Sequence, residues 1–351
     1  MNILHIISSL EIGGAQRLLS DILPLMAKEH DVTLLVNKEL DNDFSFKVKE
    51  AGVKIINCGC PQLHSPFNIL KIAKLAKGYD VVHVHLFPTV YWAALASFLV
   101  PMNLVYTEHS TSNRRRGKWY FQPVERYVYS RYKKIISISQ QTQDALKRWL
   151  KSPKEGSRFV VINNGVNLST FSHLKSEKMY PHTLIMVSRF ADSKDQMTVI
   201  KAMTLLAEDV HVIFVGDGEN MVACKEYARE WGVSQRVHFV GRQSDVASWI
   251  ARADIGIQSS NWEGFGLTAV ELMAARKPVV ATNVDGLKQV VDGAGLLFDV
   301  GDYMTLAELI NRLLHDRSLY EKTAEQCQER AKQYDVVTMM EKYMDVYKSI
   351  M

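Results

Sequence analysis

Two glutamates stand eight residues apart in Glu263-Gly264-Phe265-Gly266-Leu267-Thr268-Ala269-Val270-Glu271, on either side of a glycine-flanked turn. The spacing predicts that Glu271 lies on the helix after the turn. A carboxylate there can accept both hydroxyls of a ribose, while the amides of Phe265, Gly266 and Leu267 at the helix start can take a phosphate. Upstream, Ser188-Arg189-Phe190-Ala191-Asp192-Ser193-Lys194 sets two cations, Arg189 and Lys194, where a strand gives way to a helix. Fixed positive charge at that place suits a diphosphate leaving group, whose negative charge grows in the transition state. A third segment, running from Ser8 to Arg17, carries the pair Gly13-Gly14 between a strand and a helix, and Gly14 would let backbone approach a phosphate. It is not the G-x-G-x-x-G fingerprint and no acidic residue follows in strand context, so a NAD site is not expected. Taken singly, each piece also reads as a capped helix, a charged loop or a tight turn.

Other residues invite different chemistry. Arg114-Arg115-Arg116-Gly117-Lys118-Trp119-Tyr120-Phe121 continues through Arg126, Arg131, Lys133 and Lys134 with only Glu125 opposing. Cations mixed with aromatic rings can meet an anionic membrane surface or a phosphate-bearing acceptor, so Arg114, Arg115, Arg116, Lys118 and Trp119 are candidate acceptor or membrane contacts. A solvated helix face is the bland alternative, and nucleic acid is not the favoured partner. Asp41-Asn42-Asp43 is formally a D-x-D metal motif, but it follows a strand and opens a charged helix, where N-capping is expected. His83 and His85 share one face of a strand; with no third ligand in view they read as satisfied strand histidines rather than a zinc site.

The elements that must position these groups alternate. Ile- and Val-rich segments at 3–7, 32–36, 53–56, 81–84, 104–106, 135–138 and 159–162 are separated by helix-length amphipathic stretches. Their near-continuous apolar character predicts parallel strands covered by helices on both faces. After a polar break from Asn167 to His182, a second series follows at 184–187, 210–215, 237–240, 255–257 and 279–281. This rhythm predicts two doubly wound α/β units: an N-terminal domain at 1–166, a linker at 167–182, a C-terminal domain at 183–334, and a helix at 335–351 that packs back on the first domain. The uncharged stretch from Leu86 to Thr107 is broken by Pro88, Pro101 and Asn103, and reads as a buried helix near 90–99 followed by a strand rather than a membrane span.

With 351 residues and 47% hydrophobic content the chain exceeds the roughly 250–300 residues at which single cores split. The net charge of +4 hides an asymmetry: residues 1–165 hold 22 Lys+Arg against 13 Asp+Glu (+9), and residues 166–351 hold 20 against 25 (−5). Two units with different partners are expected, the basic one meeting an anionic acceptor or surface. Four cysteines show neither zinc-finger nor disulfide spacing, and the first residues lack a basic leader, so a reducing, cytoplasmic setting is expected.

The glycine pair Gly13-Gly14, Asp80-Val81-Val82-His83-Val84-His85, Thr107-Glu108-His109, Asn163-Asn164-Gly165-Val166, Arg189 with Lys194, Gly216-Asp217-Gly218, Gly241 and the Glu263/Glu271 pair occur in one order along the chain. In that order they resemble the family-four retaining glycosyltransferases of GT-B fold, over nearly the full length. The resemblance implies two Rossmann-like domains facing a central cleft, with an acceptor on the first and a UDP- or GDP-sugar on the second. It implies that Glu271 holds the donor ribose, Arg189 and Lys194 the diphosphate, and Glu263 the neighbourhood of the sugar. His109 is then the active-site histidine near the sugar hydroxyls, and the backbone near Arg242 meets the nucleobase. No metal and no cofactor are implied; the departing phosphate oxygen takes the acceptor's proton on the face it leaves, and configuration is retained. Asp285-Gly286 followed by Gln289, in place of a glycine pair and a glutamate, and Asn167, in place of an aspartate, depart from the family pattern. The acceptor expected is a saccharide or lipid-linked saccharide of surface polysaccharide synthesis; the basic aromatic segment and the lack of any span motivate the lipid-linked form, with the enzyme peripheral on the inner face of the cytoplasmic membrane. A nucleotide-sugar 2-epimerase and a non-catalytic nucleotide-sugar binding subunit share the architecture and are the alternatives.

Overall fold

The computed structural model describes residues 1–11, 13–38, 41–59, 65–111, 113, 115–151, 157–172, 174 and 177–351. The chain divides into two compact units, residues 1–165 with 336–351, and residues 166–335. The first holds a seven-stranded sheet: β1 (Asn2–Ser9), β2 (Asp31–Lys38), β3 (Lys54–Asn57), β4 (Val81–His85), β5 (Leu104–Glu108), β6 (Lys134–Ser137) and β7 (Phe159–Val161), in the order β3-β2-β1-β4-β5-β6-β7. The second holds six: β8 (His182–Val187), β9 (Val210–Val215), β10 (Val237–Phe239), β11 (Ile255–Gln258), β12 (Val279–Thr282) and β13 (Leu296–Phe298), in the order β10-β9-β8-β11-β12-β13. Every pair is parallel. β13 lies outside the expected series: three residues between Gly295 and Asp299 are too few to show a period, and pairing with β12 creates the strand.

β4 and β5 are buried along their whole length because helices cover both faces, so His83, His85, Thr107 and Glu108 within them are buried polar groups that need partners. Burying one Val, Leu or Ile in this way contributes about 1.5–3 kcal/mol. In each sheet the chain starts in the middle and reverses direction of travel beside its first strand, at β1/β4 and at β8/β11. Loops leaving the carboxyl ends of those neighbours diverge, and a ligand fits in the crevice they open. Asn42 caps the helix Asp43–Glu50 through a reciprocal bond with Ser45, so the D-x-D segment works as a capping box. Cys58, Cys224 and Cys327 are buried thiols, while Cys60 lies outside the described residues. Among the described residues no helix is long and apolar enough to cross a membrane; the stretch in question forms the helix Thr89–Ala96 and β5.

The C-terminal helix Val336–Lys348 belongs to the first unit, where Met339, Tyr343, Met344 and Tyr347 pack into the core formed by Ile3, Leu19 and Val105. Its Tyr347 hydroxyl bonds His83 Nδ1 at 2.5 Å, and His83 Nε2 meets Thr107 Oγ1 at 2.7 Å. His5 lies in register with His83 across the β1/β4 pair, so His5, His83 and His85 form one buried cluster.

Burial holds His5 down to about 3 and keeps His83 and His85 well below the ordinary imidazole range. Unfolded, these rings titrate near 6.5, roughly. Below that pH the unfolded chain takes up protons that the folded one refuses, so stability is complete above it and is lost as pH falls toward the folded values. The urea midpoint should therefore be level above about pH 7 and fall between about pH 6.5 and 5, each histidine adding up to about 1.4 kcal/mol per pH unit. His5→Leu should flatten the fall; an unchanged slope would show that the cluster does not govern it.

Candidate active site

In the second unit the loop after β8 carries Arg189, exposed and without an ion pair among the described residues. Its path is set by backbone contact with the loop after β9. Ser188 and Phe190 amides donate to the carbonyls of Val215 and Asp217, both at 3.0 Å, and the Asn220 amide donates back to Phe190 at 3.2 Å. Such closeness needs glycine at 216 and 218: a Cβ would fall 2.0 Å from the Ser188 carbonyl oxygen and 2.2 Å from that of Phe190, at φ of +142° and +155°. The Gly216 amide donates to Gly241, next to exposed Arg242, so the ends of β8, β9 and β10 are linked in series.

On the other side of the reversal point the loop after β11 is joined to the same segment. The Asn261 amide donates to Ser193 at 2.9 Å and the Asp195 amide to Ser259 at 3.1 Å. Lys194 Nζ reaches Ser260 Oγ at 3.2 Å and forms an ion pair with Glu263. Burial alone would push the Glu263 carboxyl up, but Lys194 and the amides of Gly264 and Phe265 outweigh it and hold the group below its usual range. This modifies the expected division of labour: Lys194 and Glu263 are one coupled pair, whereas Arg189 has no ion pair among the described residues. Gly266, at φ +92°, caps the helix Leu267–Ala274 and turns the chain so that buried Glu271 sits one turn inside. The Phe265 ring is core, edge-on to Tyr334 at 5.3 Å, and its amide is directed to Glu263 instead of outward. Gly286, in the segment that departs from the family pattern, is fixed by sterics. A Cβ there would stand 2.3 Å from the Glu263 carbonyl oxygen, so it admits the helix Asp285–Val291 against the Glu263 loop.

In the first unit Gly13 caps and Gly14 opens the helix Gly14–Met26 after β1; Gly13 is extended and unstrained. His109 follows β5. Its Nε2 lies 3.2 Å from His85 Nδ1, and His85 Nε2 lies 3.1 Å from His5 Nδ1, making a file of three rings. Desolvation holds His109 down to about 4. The third histidine beside His83 and His85 is thus His5, whose only sequence signal is a polar ring in the apolar strand Ile3-Leu4-His5-Ile6-Ile7; strand order decides which strand it meets.

The basic segment is corrected. Arg115 pairs with buried Glu125 at 2.6 Å and lies over the Phe87 ring at 4.0 Å. Arg116 pairs with Glu108 at 2.5 Å and donates to the carbonyls of Ser110 and Thr111. Both guanidiniums are consumed inside the fold because two buried carboxylates need counter-charges, so they do not present themselves to a membrane or acceptor. Arg114 lies outside the described residues. Lys118 and Trp119 are exposed, Trp119 at 82%; elsewhere on this unit Phe98 and Tyr127 are exposed and stacked at 5.9 Å, with Arg131 4.3 Å above the Phe98 ring.

A pair of doubly wound units with phosphate-compatible groups at a reversal point defines a GT-B type of architecture. Residues 12–170 match the model described as Glycosyltransferase Family 4, and residues 171–334 match Glycosyl transferases group 1. The chain is 27% identical over 336 residues to the putative glycosyltransferase EpsD of Bacillus subtilis, covering 89% of this chain and 86% of that one. It is 24% identical over 352 residues to N-acetylgalactosamine-N,N'-diacetylbacillosaminyl-diphospho-undecaprenol 4-alpha-N-acetylgalactosaminyltransferase of Campylobacter jejuni, covering 94% and 95%. Anabaena HepE, solved in complex with UDP and glucose, shares the fold at a TM-score of 0.85 and 23% identity, over 99% of this chain and 100% of that one. The protein belongs to the family-four glycosyltransferases of GT-B fold.

Three substitutions separate scaffold from surface. Gly218→Ala should lower stability by about 2 kcal/mol or more, since a backbone oxygen occupies the place of the new methyl, and should weaken any ligand held by Arg189. Arg116→Ala should cost about 3–5 kcal/mol by stranding Glu108, read in urea titration, whereas Lys118→Ala should stay within about 0.5 kcal/mol.

Proposed function

We propose that this glycosyltransferase moves a hexose-type sugar, with retention of configuration, from a UDP- or GDP-sugar to a saccharide or lipid-linked saccharide acceptor in surface polysaccharide synthesis, at the cytoplasmic face of the membrane. The observation that carries the proposal is the convergence, at the β8/β11 reversal, of free Arg189, the Lys194–Glu263 pair, the Gly266-capped helix and Glu271. In this reading Glu271 takes the ribose hydroxyls, and Arg189 with the amides of Gly266 and Leu267 takes the diphosphate. An incoming diphosphate competes with Glu263 for Lys194, which releases the Glu263 carboxylate toward the sugar. Arg242 lies beside the backbone that meets the base, Gly14 marks a backbone approach in the first unit, and His109 donates to a sugar oxygen.

The acceptor oxygen bonds to the anomeric carbon as the bond from that carbon to the phosphate oxygen breaks, and the acceptor's proton passes to that departing oxygen. Arg189 and Lys194 offset the charge that develops there, and no metal is assigned a part. The Campylobacter relative, named for an undecaprenol-diphosphate-linked saccharide, supports a lipid-linked acceptor. Exposed Lys118 and Trp119, and the exposed Phe98–Tyr127 pair with Arg131, support residence at an anionic membrane, each cation near it adding about 1 kcal/mol.

A bound nucleotide raises the melting temperature by mass action. One of UDP, GDP and ADP should shift it clearly, and the shift should disappear in Arg189→Ala and Glu271→Gln; no shift with any of them would remove the donor site. Product anomeric configuration should match the donor's, and turnover should persist in a chelator. Trp119→Ala with Tyr127→Ala should weaken sedimentation with phosphatidylglycerol vesicles, whereas unchanged sedimentation would leave the membrane contact without support.

A further inference from the structure

We infer that the buried pair His5–His85 is a positioning device that fixes the tautomer of His109, so that His109 meets its substrate oxygen as an Nδ1–H donor and does not serve as a base. The statement about substrate rests on the function proposed above; the tautomer does not.

The rings form a file in which His5 Nδ1 faces His85 Nε2 at 3.1 Å and His85 Nδ1 faces His109 Nε2 at 3.2 Å. Each contact needs one proton between its two nitrogens. The neighbours that act electrostatically on these rings are other histidines, not carboxylates, and burial keeps all three neutral near pH 7. A neutral His85 has one N–H and one lone pair, so both contacts must run in the same direction. If the file runs from His109 inward, the leftover proton sits on His5 Nε2, which is buried and has no hydrogen-bond partner among the described residues. If it runs outward, His5 Nε2 keeps only an unused lone pair, and the leftover proton sits on Nδ1 of half-buried His109. A buried N–H without an acceptor is the rarer defect, so the outward direction prevails. His109 Nε2 is then occupied as an acceptor, and its Nδ1–H is its one polar group left to offer.

The same cluster is not read as a metal site. Both nitrogens of His83 are already engaged, by Tyr347 and Thr107, and His85 is engaged at both of its own. A bound ion would have to break these bonds in the buried centre of the sheet.

The test is nitrogen-15 NMR of the whole protein labelled at histidine side chains, near pH 7.5, with the His109 signals identified by their loss in His109→Gln. Nδ1 should carry the proton in His109 and Nε2 should be bare; a proton on His109 Nε2, or stoichiometric zinc in the purified protein, overturns the inference. His85→Leu, which removes the donor, should release His109 to the Nε2–H form and lower kcat at least about tenfold with donor KM little changed. His85→Asn, whose amide can still donate near the Nδ1 position, should restore most of the rate. Equal kcat in the Leu variant and the parent overturns the positioning role. Should no sugar nucleotide turn over at all, the function proposed above falls, while the wild-type spectrum still decides the tautomer.

Discussion

The loop that carries Arg189 is held by backbone-to-backbone contact at a distance that no side chain tolerates. The carbonyl oxygens of Ser188 and Phe190 occupy the places where Gly216 and Gly218 would have side chains, and the carbonyl of Glu263 does the same to Gly286. These three approaches, with the hydrogen bonds from Asn261 to Ser193 and from Asp195 to Ser259, join the ends of β8, β9 and β11 and the helix after β12 into one support. A cation on an exposed loop is ordinarily a mobile charge of little value. Here its Cα is fixed by peptide hydrogen bonds on both sides, which is the kind of preorganisation that electrostatic catalysis requires.

The first unit solves a different problem, since it buries an unusual number of titratable groups near one end of its sheet. Glu108 and Glu125 are neutralised by Arg116 and Arg115, and Tyr129 adds a hydroxyl to Glu108 at 3.0 Å. Burial still pushes the Glu108 carboxyl up against the pull of Arg116. The histidines use no counter-charge at all and instead stay neutral, sharing protons along a file and with Tyr347 and Thr107. Through Tyr347 the last helix of the chain takes part in that network, so residues at opposite ends of the sequence order the same strands.

A run of basic residues is thus a poor guide to surface charge. Of the tight group at 114–118, Arg115 and Arg116 turn inward because buried acceptors lie within reach, while Lys118 remains in water. The exposed pair of Phe98 and Tyr127 was less visible in sequence than the arginines, because its members come from separate segments.

Sequence by itself determined the alternation of apolar and amphipathic segments, and with it two parallel sheets covered on both faces, because a strand buried on two sides has no polar period to hide. It also determined which local turns could bind phosphate: the Glu263–Glu271 spacing, Arg189 and Lys194, and the glycines at 13 and 14 are legible because their chemistry lies within one segment. β13 escaped because three residues carry no period. Tertiary structure alone decided the pairings between segments: Lys194 with Glu263, Arg116 with Glu108, His5 with His85, and Gly286 under the Glu263 loop. Those depend on strand order and register, which bring residues 80 positions apart into contact, as His5 and His85 are, and no local pattern encodes that distance.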